Sequence, residues 1–260
     1  MKTLNLNGVR IAYSDVGTGA PVVFANALGT DMRVWDPVLD HLPKGLRIVR
    51  YDMRGHGQSD CPPGPYAMGT LVRDAEALLD ALNIRDCVFV GLSLGGMVAQ
   101  GLAVKRLDQV RAMVLSNTAA KIGTAKMWHD RADAVLRDGL APVLDPTMER
   151  WFTKSFRASP QASFWRDIVA NQRPEGYAAC CHAIAGTDFY TPTASLTLPT
   201  LGIAASHDGS TPADMVRETT DLIKGSQFAL IQNAGHLACV EKPATYGGHL
   251  TSFLNAIGHV

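Results

Sequence analysis

The sequence predicts an α/β fold: a mostly parallel, eight-stranded sheet flanked by helices, with a helical block inserted after the sixth strand. Three observations predict it. Apolar, β-branched runs alternate with helical patterns over residues 1–119 and again over 198–260, and such alternation puts parallel strands between layers of helix. From about 120 to 197 the strand signals stop and aromatic-rich helical stretches take over. Finally, the run Cys87-Val88-Phe89-Val90 turns through Gly91-Leu92-Ser93-Leu94-Gly95 into a second apolar run at 96–104. That is a strand–turn–helix step with small residues at its corner.

The elements follow in order. Residues 4–6 and 9–14 flank Asn7-Gly8, a pair that closes a tight antiparallel hairpin. Pro21-Val22-Val23-Phe24-Ala25 is apolar throughout, as a strand covered on both faces must be. A helix is expected around 34–41 and a strand at 46–51. Thr70 is expected to cap a helix running to 82, with Leu71, Ala75, Leu78, Leu79 and Leu82 on one face. The serine-bearing step comes next, then a strand at 110–116. Strands at 200–205 and 227–231 each lead into a loop with ionisable residues, and Pro243 opens a last helix towards 257. The expected organisation is a core of 1–119 and 198–260 carrying a helical cap at 120–197. Trp128, Trp151, Phe152, Phe156, Trp165 and Tyr177 make that cap a candidate apolar lid.

Composition narrows the partners. At 260 residues the chain can bury a large core. Basic and acidic residues balance at 24 each and form no basic stripe, which argues against nucleic acid. The start, Met1-Lys2-Thr3-Leu4-Asn5, is too polar for a signal peptide, and no apolar run reaches membrane-spanning length. The five cysteines are odd in number and lack Cys-x-x-Cys spacing, so they are expected to be reduced cytosolic thiols. The expectation is a cytoplasmic enzyme with no metal and no cofactor, no membrane partner and a small-molecule substrate. A homo-oligomer is compatible with this composition.

The chemistry is expected at Ser93. A side chain on either flanking glycine would collide with neighbouring backbone, and the following helix aims its free N–H groups at the serine oxygen. A serine hydroxyl needs a base within hydrogen-bond reach. Among eight histidines, His236 follows the strand at 227–231 in Asn233-Ala234-Gly235-His236, where strand-end loops converge. His41 and His129 fall on helix surfaces, and His249 and His259 in the last helix or tail. The orienting acid is expected at Asp208, after the strand at 200–205, with the adjacent His207 a plain loop residue. The alternative acid position, Ser116-Asn117-Thr118, carries no charge. Two backbone N–H groups should receive the oxyanion. These are Leu94 and, from Asn26-Ala27-Leu28-Gly29, Leu28. Asp52-Met53-Arg54-Gly55-His56-Gly57 reads as a turn that shapes the floor of the site, without a catalytic part.

With these residues in place, the chain resembles the α/β-hydrolase superfamily over essentially its whole length. The residues that carry the resemblance are 26–31, Asp52-x-Arg54-Gly55-His56-Gly57, 91–96 and Gly235-His236. A narrower likeness rests on 116–122, Arg150-Trp151-Phe152-Thr153, and Glu175-Gly176-Tyr177 with Cys181 and Asp188-Phe189. These segments are similar to those of 3-oxoadipate enol-lactone hydrolases of the β-ketoadipate pathway of aromatic breakdown. The resemblance implies Ser93, Asp208 and His236 as a triad acting on a lactone that bears a free carboxylate. Where such enzymes often carry Met, this chain has Leu94, which leaves the backbone donor intact. Arg33, Lys121, Arg131 and Arg150 are the candidates to hold the carboxylate, and Trp128, Trp151 and His182 to line the apolar part. A general carboxylesterase, a cofactor-free perhydrolase and a non-catalytic ligand receptor are the competing readings. A haloalkane dehalogenase would need Asp at position 93.

Overall fold

The chain opens with a hairpin whose turn residues, Asn7 and Gly8, both have positive φ (53° and 80°), the twist that matches paired strands. The computed structural model describes residues 1–260. Strands β1 (Lys2–Leu6) and β2 (Val9–Val16) are followed by β3 (Pro21–Ala25). A 3₁₀ turn at Met32–Trp35 then runs into the four-residue helix α1 (Asp36–Leu39). After β4 (Arg47–Tyr51) come α2 (Met68–Ala81), β5 (Cys87–Leu92), α3 (Leu94–Lys105) and β6 (Val110–Ser116). Between β6 and β7 every regular element is a helix. The chain forms α4 (Ala125–Asp138), α5 (Ala141–Trp151), α6 (Lys154–Arg157), α7 (Gln161–Ala170), α8 (Pro174–Ala185) and α9 (Tyr190–Ala194). It returns through β7 (Thr200–Ala205), α10 (Ala213–Asp221), β8 (Gln227–Ile231), α11 (Ala238–Glu241) and α12 (Pro243–Ala256).

The eight strands form one sheet in the order β1-β2-β4-β3-β5-β6-β7-β8. The pairings β1/β2 and β2/β4 are antiparallel and all others parallel, so β2 alone runs against the rest. Side chains alternate across a strand. In β3, Val23 and Ala25 therefore enter one core layer, while Val22 and Phe24 enter the other. The cap helices join both layers: Trp128 and Tyr177 belong to the first, Trp151, Phe152 and Trp165 to the second. The aromatic cap is thus sewn to the core rather than packed only on itself.

Two local expectations need correction. Helix α2 starts at Met68 behind the extended Ala67, without a side-chain cap. Thr70 lies inside it, its hydroxyl accepting from Arg73 at 3.1 Å. The expected helix at 34–41 is the 3₁₀ turn plus α1, opened by the Asp31 carboxylate, which accepts Arg33 N–H at 3.0 Å.

Cap and core also touch where neither has a side chain. A Cβ on Gly176, in the first turn of α8, would sit 2.2 Å from the Gly55 carbonyl oxygen, and one on Gly55 2.7 Å from Gly176 Cα. Nearby, Gly57 N–H donates to Gln172 Oε1 at 3.1 Å, and Arg173 donates to the Ser59 carbonyl at 2.5 Å. No helix is long and apolar enough to cross a membrane.

Candidate active site

Ser93 has φ 55° and ψ −113°, a strained backbone that persists only where its surroundings hold it. They do so from several directions. Ser93 N–H donates to the Ser116 carbonyl at 2.9 Å, and the Ser93 carbonyl accepts from Thr118 Oγ1 at 2.6 Å and from Gly96 N–H at 2.9 Å. The turn closes tightly enough that a Cβ on Gly95 would lie 2.2 Å from the Ala25 carbonyl oxygen of β3. A Cβ on Gly91 would lie 2.2 Å from the Gly95 carbonyl oxygen. Only this glycine pattern lets β5, α3 and β3 meet so closely.

Asp208 follows β7 and His236 follows β8, so parallel pairing of these strands brings their loops together. His236 Nδ1 lies 2.8 and 3.0 Å from the two Asp208 carboxylate oxygens. Asp208 Oδ1 also accepts from Ser210 N–H at 2.7 Å and Thr211 N–H at 2.9 Å. Its Oδ2 accepts from Thr211 Oγ1 at 2.8 Å and Asn117 Nδ2 at 2.9 Å. Burial would raise the Asp208 pKa, but the opposing charge and hydrogen bonds of His236, Thr211 and Asn117 outweigh it and hold the carboxyl below its ordinary value. The uncharged position after β6 is therefore not idle. Asn117, itself at φ 45°, supplies an amide to the acid on the neighbouring loop. Its only sequence signal is an asparagine at a strand end, a residue type that tolerates positive φ.

Leu28 N–H donates to no other group of the protein, and Leu94 N–H, at the first position of α3, has no acceptor within its helix. The Leu28 loop is braced by Asn26 Nδ2, which donates to the Thr30 carbonyl at 2.7 Å, and by Thr30 N–H, which donates to the Ala27 carbonyl at 3.1 Å.

Leu28, Ser93 and His236 open on one cavity of about 240 Å³. Ser93 and His236 share its wall without a direct hydrogen bond between them, and such pairs often tighten only when the reacting group arrives. Trp128 and Arg131 of α4, Arg150 and Trp151 of α5, and Tyr177 of α8 close it from the cap. The Arg131 guanidinium lies over the Trp128 ring, 5.3 Å from its centre. Arg150 donates to Thr147 Oγ1 at 3.1 Å. Burial and the charge of Arg131 both lower the Arg150 pKa. Two guanidiniums without a carboxylate partner thus face the space beside the serine.

Three sequence candidates lie elsewhere. Arg33 is committed to Asp31 at 2.7 Å, two residues back, and Lys121 to Asp188 at 3.1 Å on the surface. His182 pairs with the exposed His129, Nδ1 to Nδ1 at 2.9 Å, outside the cavity. No set of three or more His, Cys, Asp or Glu side chains is grouped as metal ligands.

Comparison with known proteins matches residues 20–243 to the family model described as the alpha/beta hydrolase fold. The chain is 34% identical over 248 residues to 3-oxoadipate enol-lactonase 2 of Acinetobacter baylyi, covering 94% of this chain and 92% of the relative. It is 36% identical over 238 residues to 3-oxoadipate enol-lactonase 1 of the same organism, covering 91% and 89%. Its structure is similar to the crystal structure of the enol-lactonase from Burkholderia xenovorans, with a TM-score of 0.94, 32% identity, and coverage of 98% and 100%.

Proposed function

The chain belongs to the α/β-hydrolase family and is a lactone- or ester-cleaving hydrolase, and from that premise we propose that it opens 3-oxoadipate enol-lactone to 3-oxoadipate in the β-ketoadipate pathway. The observation that carries the reading is the pair of uncompensated guanidiniums, Arg131 and Arg150, in the same small cavity as Ser93 and His236. An unpaired half-buried cation is unfavourable unless a ligand supplies the anion. The substrate's free carboxylate is such an anion, and charge-assisted or bidentate contacts from arginine fix its orientation as well as its affinity. Ligand pockets for drug-sized molecules run to about 300–1,000 Å³, so a cavity of about 240 Å³ favours a compact ring over a long acyl chain.

The reading assigns these steps to the groups around the cavity. Ser93 Oγ attacks the lactone carbonyl carbon while His236 Nε2 takes its proton. Asp208 holds the imidazole through Nδ1 and stabilises the imidazolium. The carbonyl oxygen becomes an oxyanion received by Leu28 and Leu94 N–H, each such donor contributing about 3 kcal/mol in comparable sites. Collapse breaks the ring C–O bond and expels an enolate, a better leaving group than an alkoxide, which takes its proton from His236. Water deprotonated by His236 then attacks the acyl-enzyme and regenerates Ser93, and the freed enol ketonises. Apart from the water, all groups used are side chains and backbone of this chain, and the reading puts its work in the cytoplasm, where the five free cysteines would stay reduced.

The deciding experiment follows enol-lactone ring opening by ultraviolet absorbance beside a panel of p-nitrophenyl esters. A kcat/KM for the lactone well above that for every ester is expected. An ester preferred over the lactone would reduce the protein to a general carboxylesterase.

A further inference from the structure

The loop after β4 holds a buried histidine that the reaction above does not use. His56 is 1% exposed. Its Nε2 accepts from the Gly29 N–H at 2.9 Å, while its Nδ1 lies 3.4 Å from the Arg54 carbonyl oxygen and 4.0 Å from Cys180 Sγ. Gly29 directly follows Leu28, so the bond seizes the peptide next to the oxyanion donor. The rings of Tyr177 and Trp151 also pack against Gly29, 3.1 and 3.6 Å from where its Cβ would be.

We infer that His56 is a positioning residue for the oxyanion donor: by accepting the Gly29 N–H it fixes the Leu28–Gly29 peptide and so the aim of Leu28 N–H. The inference rests on the serine-hydrolase reading of this site. The chemistry of imidazole supports it. Only a neutral ring with its proton on Nδ1 can accept at Nε2. The nearby Arg54 carbonyl suits a donor at Nδ1. Burial pushes His56 down to about 4; Arg173 acts in the same direction, and the Arg54 carbonyl and Asp31 oppose it. At neutral pH the ring is therefore an acceptor. Its loop is itself anchored: Asp52 Oδ1 accepts Met32 N–H at 2.7 Å and Oδ2 accepts Gln58 N–H at 2.8 Å. A misplacement of about 1 Å in a catalytic group can lower rates about 10²-fold, so a rigid acceptor here has a kinetic consequence.

The test compares His56→Gln, whose side-chain carbonyl can accept the Gly29 N–H, with His56→Phe, which fills the space without accepting. Both are assayed on the enol-lactone and on p-nitrophenyl acetate, so that the outcome does not depend on which substrate is preferred. His56→Phe is expected to lower kcat about 10- to 100-fold with KM changed by less than about twofold, and His56→Gln to stay within about threefold of the parent. Equal losses in both variants, or a change confined to KM, would overturn the inference. In the unmodified protein, long-range ¹H–¹⁵N spectra should show His56 neutral and protonated on Nδ1. A proton on Nε2 would overturn the inference even if neither variant folded. Covalent labelling of Ser93 by a fluorophosphonate separates the two claims. An unlabelled parent protein retires the hydrolase reading and this inference with it, whereas labelling with an unchanged kcat in His56→Phe retires the inference alone.

Discussion

The loops that end β7 and β8 and the cap helices α4 and α5 face each other across one cavity, and they treat charge in opposite ways. On the core side, the Asp208 carboxylate receives hydrogen bonds from Ser210, Thr211, Asn117 and His236. On the cap side, Arg131 stacks on an indole and Arg150 reaches only a hydroxyl. A charge that must stay still through a reaction is compensated from within. In the proposed function, the charge left uncompensated is the one that the ligand would complete. On the proposed reading, the contrast separates the groups that would break bonds from the surface that would choose the molecule.

The largest expected effect breaks the core half. Ser93→Ala should lower kcat about 10⁴- to 10⁶-fold on lactone and ester alike, as removal of a triad serine does in comparable enzymes. Rates retained within tenfold of the parent in steady-state assays would place the nucleophile elsewhere. The next effect tests the cap half. Replacing Arg131 and Arg150 together by Ala should lower kcat/KM for the carboxylate-bearing lactone about 100-fold, since hydrogen bonds to charged groups contribute about 1.5–3 kcal/mol each. Turnover of neutral p-nitrophenyl acetate should hardly change. Equal losses on both substrates would mean that the arginines hold the fold rather than the ligand.

A smaller effect sharpens the core half. Asn117→Ala removes one donor from Asp208 and should cut kcat about tenfold. Asn117 is among the groups that lower the Asp208 pKa, so its loss raises that pKa, and activity lost through protonation of Asp208 should set in at a higher pH. An unmoved onset would assign Asn117 a purely structural part. The smallest effect lies under the oxyanion loop. His56 is lowered from 6.5 to about 4 by burial, so its contribution to stability is present above 6.5 and lost as pH falls towards 4. Burial raises Asp52 from 3.8 to about 6, so its contribution has the opposite sign, present at low pH and lost as pH rises through about 6. Over the shared window the two offset. Asp52→Asn should therefore make Tm fall more steeply than in the parent between about pH 6.5 and 4, by several degrees across that range. Parallel Tm–pH curves would show that the two groups are not balanced in this way.

What the sequence made readable follows the same division. Ser93, Asp208 and His236 each end or follow a strand, and strand order along the chain fixes where those ends converge. Glycines on both sides of Ser93 signal close backbone approach directly. The residues proposed to hold the substrate carboxylate are harder to read, because whether an arginine is free depends on partners that the fold alone supplies. Arg33 has its acid two residues away, a local signal within Asp31-Met32-Arg33. Lys121 meets Asp188 only after the cap has folded, and nothing near either residue announces it. Arg131 and Arg150 stand out because they line the cavity beside Ser93 and no carboxylate reaches them. Thr70 misleads for a simpler reason: a good capping residue sits two positions inside a helix that starts without a side-chain cap. His56 reads as part of a turn because its partner, Gly29, belongs to a different loop.

The bare contact between Gly55 and Gly176 reaches beyond this chain to how such enzymes can be rebuilt. Recombining caps and cores from different hydrolases is an attractive route to new substrates, and the obvious seams lie where β6 ends and β7 begins. In this scaffold a third seam runs through residues 55 and 176, far from both in sequence. A donor cap with even a methyl group at position 176 would ride up on the loop that carries His56 and disturb its partner, the oxyanion loop. A chimaera should therefore inherit positions 55 and 176 from one parent, whichever supplies the rest.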